Sequence, residues 1–145
     1  MKREILFRGK RVDGKGWVEG GIVLCANGQI FIAPIIDVSQ VIIYAVDPAT
    51  VGQYTGLTDK NGKRIFEGDI VEYVGVGWDD PEMARAEVIW CGYDGGWGTT
   101  EGQDYCPDAL TAPDAESMTV IGNIHDNPEL LNSEGTTRKE QEHNG

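Results

Sequence analysis

The segment Gln53–Tyr73, QYTGLTDKNGKRIFEGDIVEY, constrains this chain more than any other. At its centre, Asp59-Lys60-Asn61-Gly62-Lys63 carries Asn-Gly, the strongest two-residue hairpin signal, because these residues tolerate the left-handed backbone of a tight turn. Strand-forming Ile65-Phe66 follows. Gly68-Asp69 punctuates, and Ile70–Val74 resumes a strand. The spacing predicts turn-and-strand structure, with Gly62 and Gly68 in special backbone conformations. Asp69, just ahead of a strand, is expected to accept backbone N–H groups of the preceding turn.

The rest of the chain repeats this grammar. Its 20 glycines suit turns and bulges and work against long helices. Ile5–Phe7 starts a strand that Arg8-Gly9-Lys10 is expected to interrupt. Asp13-Gly14 marks a hairpin tip, and Trp17–Leu24 the returning strand, with Gly20-Gly21 as a bulge or close crossing. Asn27-Gly28 is another turn. Gln29–Ile32 and Ile35-Ile36 read as short strands split by Pro34. Val41–Val46 is the most apolar run and reads as a buried strand. In the second half Ile70–Val74, Ala86–Cys91 and Thr119–Ile124 read as strands, with one helical turn at Glu82–Arg85. The span Gly92–Met118 is rich in Gly, Asp, Thr and Pro. It is expected either to hold a short strand near Trp97 and a helical turn near Asp108–Leu110, or to form a mobile lid. Asn127-Pro128 opens a closing turn, and Gly122, Asp126 and Asn127 order it. Asn132–Gly145 has no apolar residue and reads as a disordered tail.

The formal net charge is −12. Such a surface repels phosphate backbones, so nucleic acid is a disfavoured partner. Local basic clusters are the one route around that: Lys2, Arg3, Arg8, Lys10, Arg11 and Lys15 at the start, then Lys60, Lys63 and Arg64. Acidity favours a basic protein partner. Three cysteines, Cys25, Cys91 and Cys106, without C-x-x-C spacing fit neither a disulfide framework nor a zinc finger, and point to a reduced cytoplasm. The start lacks the apolar core of a secretory signal, and no run is long enough to cross a bilayer.

Candidate chemistry reads weakly. Asp79, Asp80, Glu82 and Asp94 are hard-cation ligand types, yet they lack the EF-hand spacing, and a solvated acidic turn is the better account. Cys91 or Cys106 with His125 as base would make a thiol nucleophile, but Cys91 continues an apolar strand and reads as core. No phosphate-loop, dinucleotide, zinc-protease or serine-hydrolase motif occurs. The expectation is no catalytic residue, no cofactor and no metal. Trp17 and Trp90 sit in strand contexts and read as core. Trp78, Tyr93, Trp97 and Tyr105 lie in polar, glycine-rich surroundings. They could anchor an interface, or equally cap the open ends of a barrel. An acidic rim around them would suit a basic partner.

Three blocks carry a family resemblance. They are Phe7–Arg11 with Gly16–Gly20, the central Val51–Lys63 with Ile65–Val71, and the closing VIGNIHDNPELL at Val120–Leu131. In this order they resemble the YopX family of phage and prophage proteins, across roughly residues 5–131. The resemblance implies a mostly-β protein with an oligomeric tendency. It brings no activity, cofactor or catalytic set, so no functional residue is carried over.

The expected fold is all-β. A small N-terminal β unit (1–50) packs on an SH3-like, partly open barrel (51–131) with a long excursion at 92–118. The expected role is a non-enzymatic phage accessory protein that binds a host or phage protein or assembles with itself. The alternative is a nucleic-acid-associated module using the basic clusters. Exposed edges in such short sheets would allow a homo-oligomer.

Overall fold

A computed structural model describes residues 4–34, 41–74, 83–93, 95–100 and 108–131. The expectations for Ile35-Ile36, Trp78, Asp79, Asp80, Glu82, Asp94, Tyr105, Cys106 and the tail lie outside these residues. The described chain is nearly all β, in two antiparallel sheets, and it divides into two compact units between Gly56 and Leu57.

In the first unit β1 (Phe7–Lys10), β2 (Trp17–Leu24), β3 (Ile30–Ala33), β4 (Tyr44–Val46) and β5, which spans Gly52–Thr58 and crosses the division, lie in the order β4-β3-β2-β1-β5. β1 runs straight through Arg8-Gly9-Lys10, contrary to expectation, because Gly9 pairs in register with Val18. Val18, Ile32 and Val46 form the core, with Phe7, Ile30, Tyr44 and Val51 against them. The chain after β1 returns to the far edge of β4. Val12 N–H donates to Ala45 O at 3.1 Å, and Asp47 N–H donates to Lys10 O at 2.9 Å. The predicted buried strand shrinks to Tyr44–Val46. Val41, Ile42 and Ile43 are exposed and outside any strand, because the register with β3 begins only at Tyr44.

In the second unit the end of β5 pairs with β6 (Arg64–Phe66). β7 (Asp69–Val74), β8 (Met83–Cys91), β9 (Gly96–Thr100), β10 (Asp108–Ala109) and β11 (Thr119–Asn123) form an antiparallel sheet in the order β10-β9-β8-β7-β11. The sheet is open, and no closed barrel exists among the described residues. Period-two alternation puts Val71, Ala86, Val88 and Val120 on one face, over a core shared with Ile65, Leu110, Ala115 and Met118. Met83–Arg85, expected as a helical turn, extends β8, in register with Glu72–Val74 of β7.

The glycine-rich excursion carries regular structure. β9 falls at Trp97 as expected, but Asp108–Ala109 is a strand, and the helical turn α1 comes later, at Ala112–Glu116. Its start is a capping box: Thr111 Oγ1 accepts the Asp114 N–H and Asp114 Oδ2 accepts the Thr111 N–H. That Thr-x-x-Asp signal, with Pro113 behind the cap, is the one the helix placement should have followed.

Among the described residues, the outer strands of the second sheet are short or partly covered. β10 has two residues. Just before β11, Met118 O accepts the Lys60 N–H at 2.9 Å, and on β11 Val120 N–H donates to Asp59 Oδ2 at 2.9 Å. No described helix is long and apolar enough to cross a membrane.

Candidate protein-interaction site

The Asn-Gly turn is built differently from a two-residue hairpin. Only Gly62 has positive φ (81°), and no non-glycine residue does. Asp59 N–H donates to Lys63 O at 2.8 Å and Gly62 N–H donates to Asp59 O at 2.9 Å. This is a three-residue loop, a tight turn closed by one left-handed glycine. Asn61 is an exposed member of it.

Asp59, which the sequence reading passed over, organises the loop. Its Oδ1 accepts the N–H groups of Asn61 and Lys63 at 2.8 and 2.9 Å, and its Oδ2 accepts that of Val120. Burial pushes the Asp59 carboxyl pKa up. The N–H donors of Val120, Lys63 and Asn61, with the Lys63 charge, outweigh burial and hold it below the ordinary value. The signal was the Asx-turn preference of an aspartate two residues before Asn-Gly.

The other turn residues also have structural duties. Gly68 has φ 92°, and its N–H donates to Val88 O at 2.9 Å. Asp69 Oδ2 accepts the Phe66 N–H at 2.7 Å. Asn127 Oδ1 accepts the Asn123 N–H at 3.3 Å and Asn127 N–H donates to Asn123 O at 2.8 Å. A Cβ on Gly122 would stand 2.6 Å from Asn127 Oδ1 and 2.9 Å from Leu130 Cδ1. The closing turn therefore lies directly on β11. Asn123, also unforeseen, accepts the His125 and Asp126 N–H groups on its Oδ1, each at 2.9 Å. Arg85 joins the turn to β7 and β8, donating to Glu72 Oε2 at 3.1 Å and Leu130 O at 3.2 Å.

Of the nucleophile candidates, Cys91 and His125 are described. Cys91 is buried at the end of β8. β7 separates β8 from β11, the strand that leads to His125. Among the described residues no three His, Cys, Asp or Glu side chains group to hold a metal ion. On β8, burial and then the nearby charge of Glu67 push the Glu87 pKa up.

Two of the aromatic candidates, Tyr93 and Trp97, lie in the β8–β9 hairpin, together with Trp90. Trp90 pairs with Trp97 across the strands, with ring centroids 5.0 Å apart and planes at 78°. This is the edge-to-face geometry that aromatic quadrupoles favour. The roles expected of the two are exchanged. Trp97, read as a loop anchor, packs against the core, whereas Trp90, read as core, is 49% exposed. Both project from the core-facing side of the sheet. Leu110, whose N–H donates to Trp97 O at 3.0 Å, belongs to the core cluster that Trp97 packs against. Tyr93, in the turn between the strands, is 89% exposed. The turn is closed by Gly95 N–H donating to Cys91 O at 2.8 Å. From Ala86 to Thr137 the sequence has no lysine or arginine but ten aspartates and glutamates, so this tip belongs to a wholly acidic stretch.

The first unit shows the opposite pattern. Arg8 lies over the Trp17 ring at 4.9 Å from its centroid, and Arg11 lies over Tyr44 at 4.0 Å while pairing with Asp13. Trp17, expected in the core, is half-buried beneath its arginine.

Comparison with known proteins places this architecture. A family model described as YopX protein matches residues 19–132. A search of curated proteins finds no match. Among solved structures, the crystal structure of protein EF1440 from Enterococcus faecalis is similar. Its TM-score is 0.55 at 26% sequence identity, covering 90% of this chain and 99% of that one.

Proposed function

This chain belongs to the YopX family, and from that premise we propose that it is a phage or prophage accessory protein that works in the cytoplasm by binding another protein, not by catalysis. The observation that carries the proposal is the tip of the β8–β9 hairpin. Trp90 and Tyr93 present large aromatic surface to solvent, and Trp90 makes an edge-to-face contact with Trp97, which packs against the core. Folding does not require such exposure. Tryptophan and tyrosine held rigidly at a surface lose little entropy on binding and recur as interface anchors. The alternative, a nucleic-acid module, has less support. Two of the arginines it would use are stacked on rings of their own unit, and the net charge is −12.

The test is affinity capture from host and phage-infected lysates with the wild type and with W90A/Y93A, followed by reconstitution with the purified partner. The proposal expects a protein that binds the wild type directly and the variant at least about tenfold more weakly, with the variant folded and melting only a few degrees below the wild type. Equal binding by the two proteins would refute it.

A further inference from the structure

We propose that the aromatic tip receives an arginine side chain from a cationic segment of the partner, with the guanidinium stacked on one of its exposed rings, Trp90 or Tyr93. This rests on the protein-binding reading above and specifies the chemistry of what binds.

Two independent observations lead there. The first is charge. The hairpin tip lies inside the stretch Ala86–Thr137, where ten carboxylates stand against no lysine or arginine. With no basic residue in this stretch and a net charge of −12 for the whole chain, the surroundings of the tip favour cations over anions. The second is ring availability. In the first unit, Trp17 and Tyr44 already carry arginines at 4.9 and 4.0 Å. At the tip, Trp97 meets Trp90 at 78°, edge to face, and Trp90 remains 49% exposed, with Tyr93 at 89%. A guanidinium is planar, delocalised and weakly hydrated, so it stacks on an indole at smaller desolvation cost than an ammonium. Arginine is therefore favoured over lysine, and acidic or phosphate-bearing partners are disfavoured.

The test titrates full-length protein with an acetylated, amidated Gly-Arg repeat peptide, following the Trp90 indole N–H by NMR. The matching Gly-Lys and Gly-Glu peptides are run beside it. Binding of the arginine peptide is expected to shift the Trp90 signal. It should be about threefold or more tighter than the lysine peptide and weaken about tenfold in W90A/Y93A. Equal binding by wild type and variant would mean general attraction to the acidic surface and overturn the proposal. So would equal affinity for the arginine and lysine peptides, or self-association that W90A/Y93A abolishes and the arginine peptide does not compete. If a captured partner depends on Trp90 and Tyr93 but the arginine peptide neither binds nor displaces it, the arginine assignment falls and the protein-binding reading stands.

Discussion

Asp59 Oδ2 accepts the Val120 backbone N–H at 2.9 Å, joining positions 61 residues apart in sequence. The same carboxylate closes the β5–β6 loop with its other oxygen. One buried side chain therefore sets the hairpin turn and covers part of the outer edge of β11. Asp59→Asn keeps one carbonyl acceptor and loses the charge behind three hydrogen bonds. It is expected to cost about 2 kcal/mol of unfolding free energy at pH 7, measured by urea denaturation.

Because the folded pKa of Asp59 is lowered, its stabilising effect has a defined pH course. It is complete above the ordinary carboxylate pKa of 3.8 and is lost as pH falls through the folded value. The gap between wild type and D59N should therefore narrow on acidification below about pH 4. A gap that stays constant down to pH 2 would count against this assignment.

Glu87 works in the opposite direction. Its folded pKa is raised, so the stability tied to its protonated form is complete below the ordinary value of 4.5 and lost as pH rises through the folded value. Glu87→Gln should raise the melting temperature at pH 7 and lose that advantage near pH 4. A neutral or lower melting temperature at pH 7 would show that burial and Glu67 do not strain this carboxylate.

Gly20 and Gly21 are adjacent in β2 but not equivalent. A Cβ on Gly20 would stand 2.0 Å from Ala33 O and 2.8 Å from Pro34 Cα, both backbone atoms that cannot swing aside. A Cβ on Gly21 meets nothing within 4 Å. G20A is expected to destabilise by about 2 kcal/mol or more, with G21A near neutral. Thermal melts of the pair decide it, and equal losses would contradict the close approach.

Trp90 and Trp97 should separate in the same way. W97A empties a site against the core and is expected to cost about 3 kcal/mol. W90A removes a half-exposed ring and one edge-to-face contact, about 1 kcal/mol. Chemical denaturation of the two variants tests the order; a reversal would place Trp90 in the core.

Much of the fold was legible locally. Asn61-Gly62, Asn27-Gly28 and Asp13-Gly14 mark turns because glycine alone takes positive φ cheaply there, and all three glycines do so. The apolar, β-branched runs Ile70–Val74 and Ala86–Cys91 announce strands. The helix α1 was legible too, in Thr111 and Asp114, but the reading placed it too early.

The misreadings concern burial. Val41–Ile43 is as apolar as a core strand, yet it precedes the register that β3 offers. Trp90 and Trp97 are directly opposed across the strands, yet only Trp97 packs against the core cluster that includes Leu110. For the candidate site, the sequence identified aromatic residues and acidity but not the exposure of Trp90, which its strand context made look like core.

The sequence by itself determined that this chain is β, where many of its turns fall, and that its second half is strongly acidic. These follow from backbone preferences and charge, which each residue carries wherever it folds. The tertiary structure decided which tryptophan faces solvent, that the second sheet stays open, and that Asp59 reaches Val120. Each depends on which distant segment arrives alongside, and packing and hydrogen bonding between segments far apart in sequence leave no local signature.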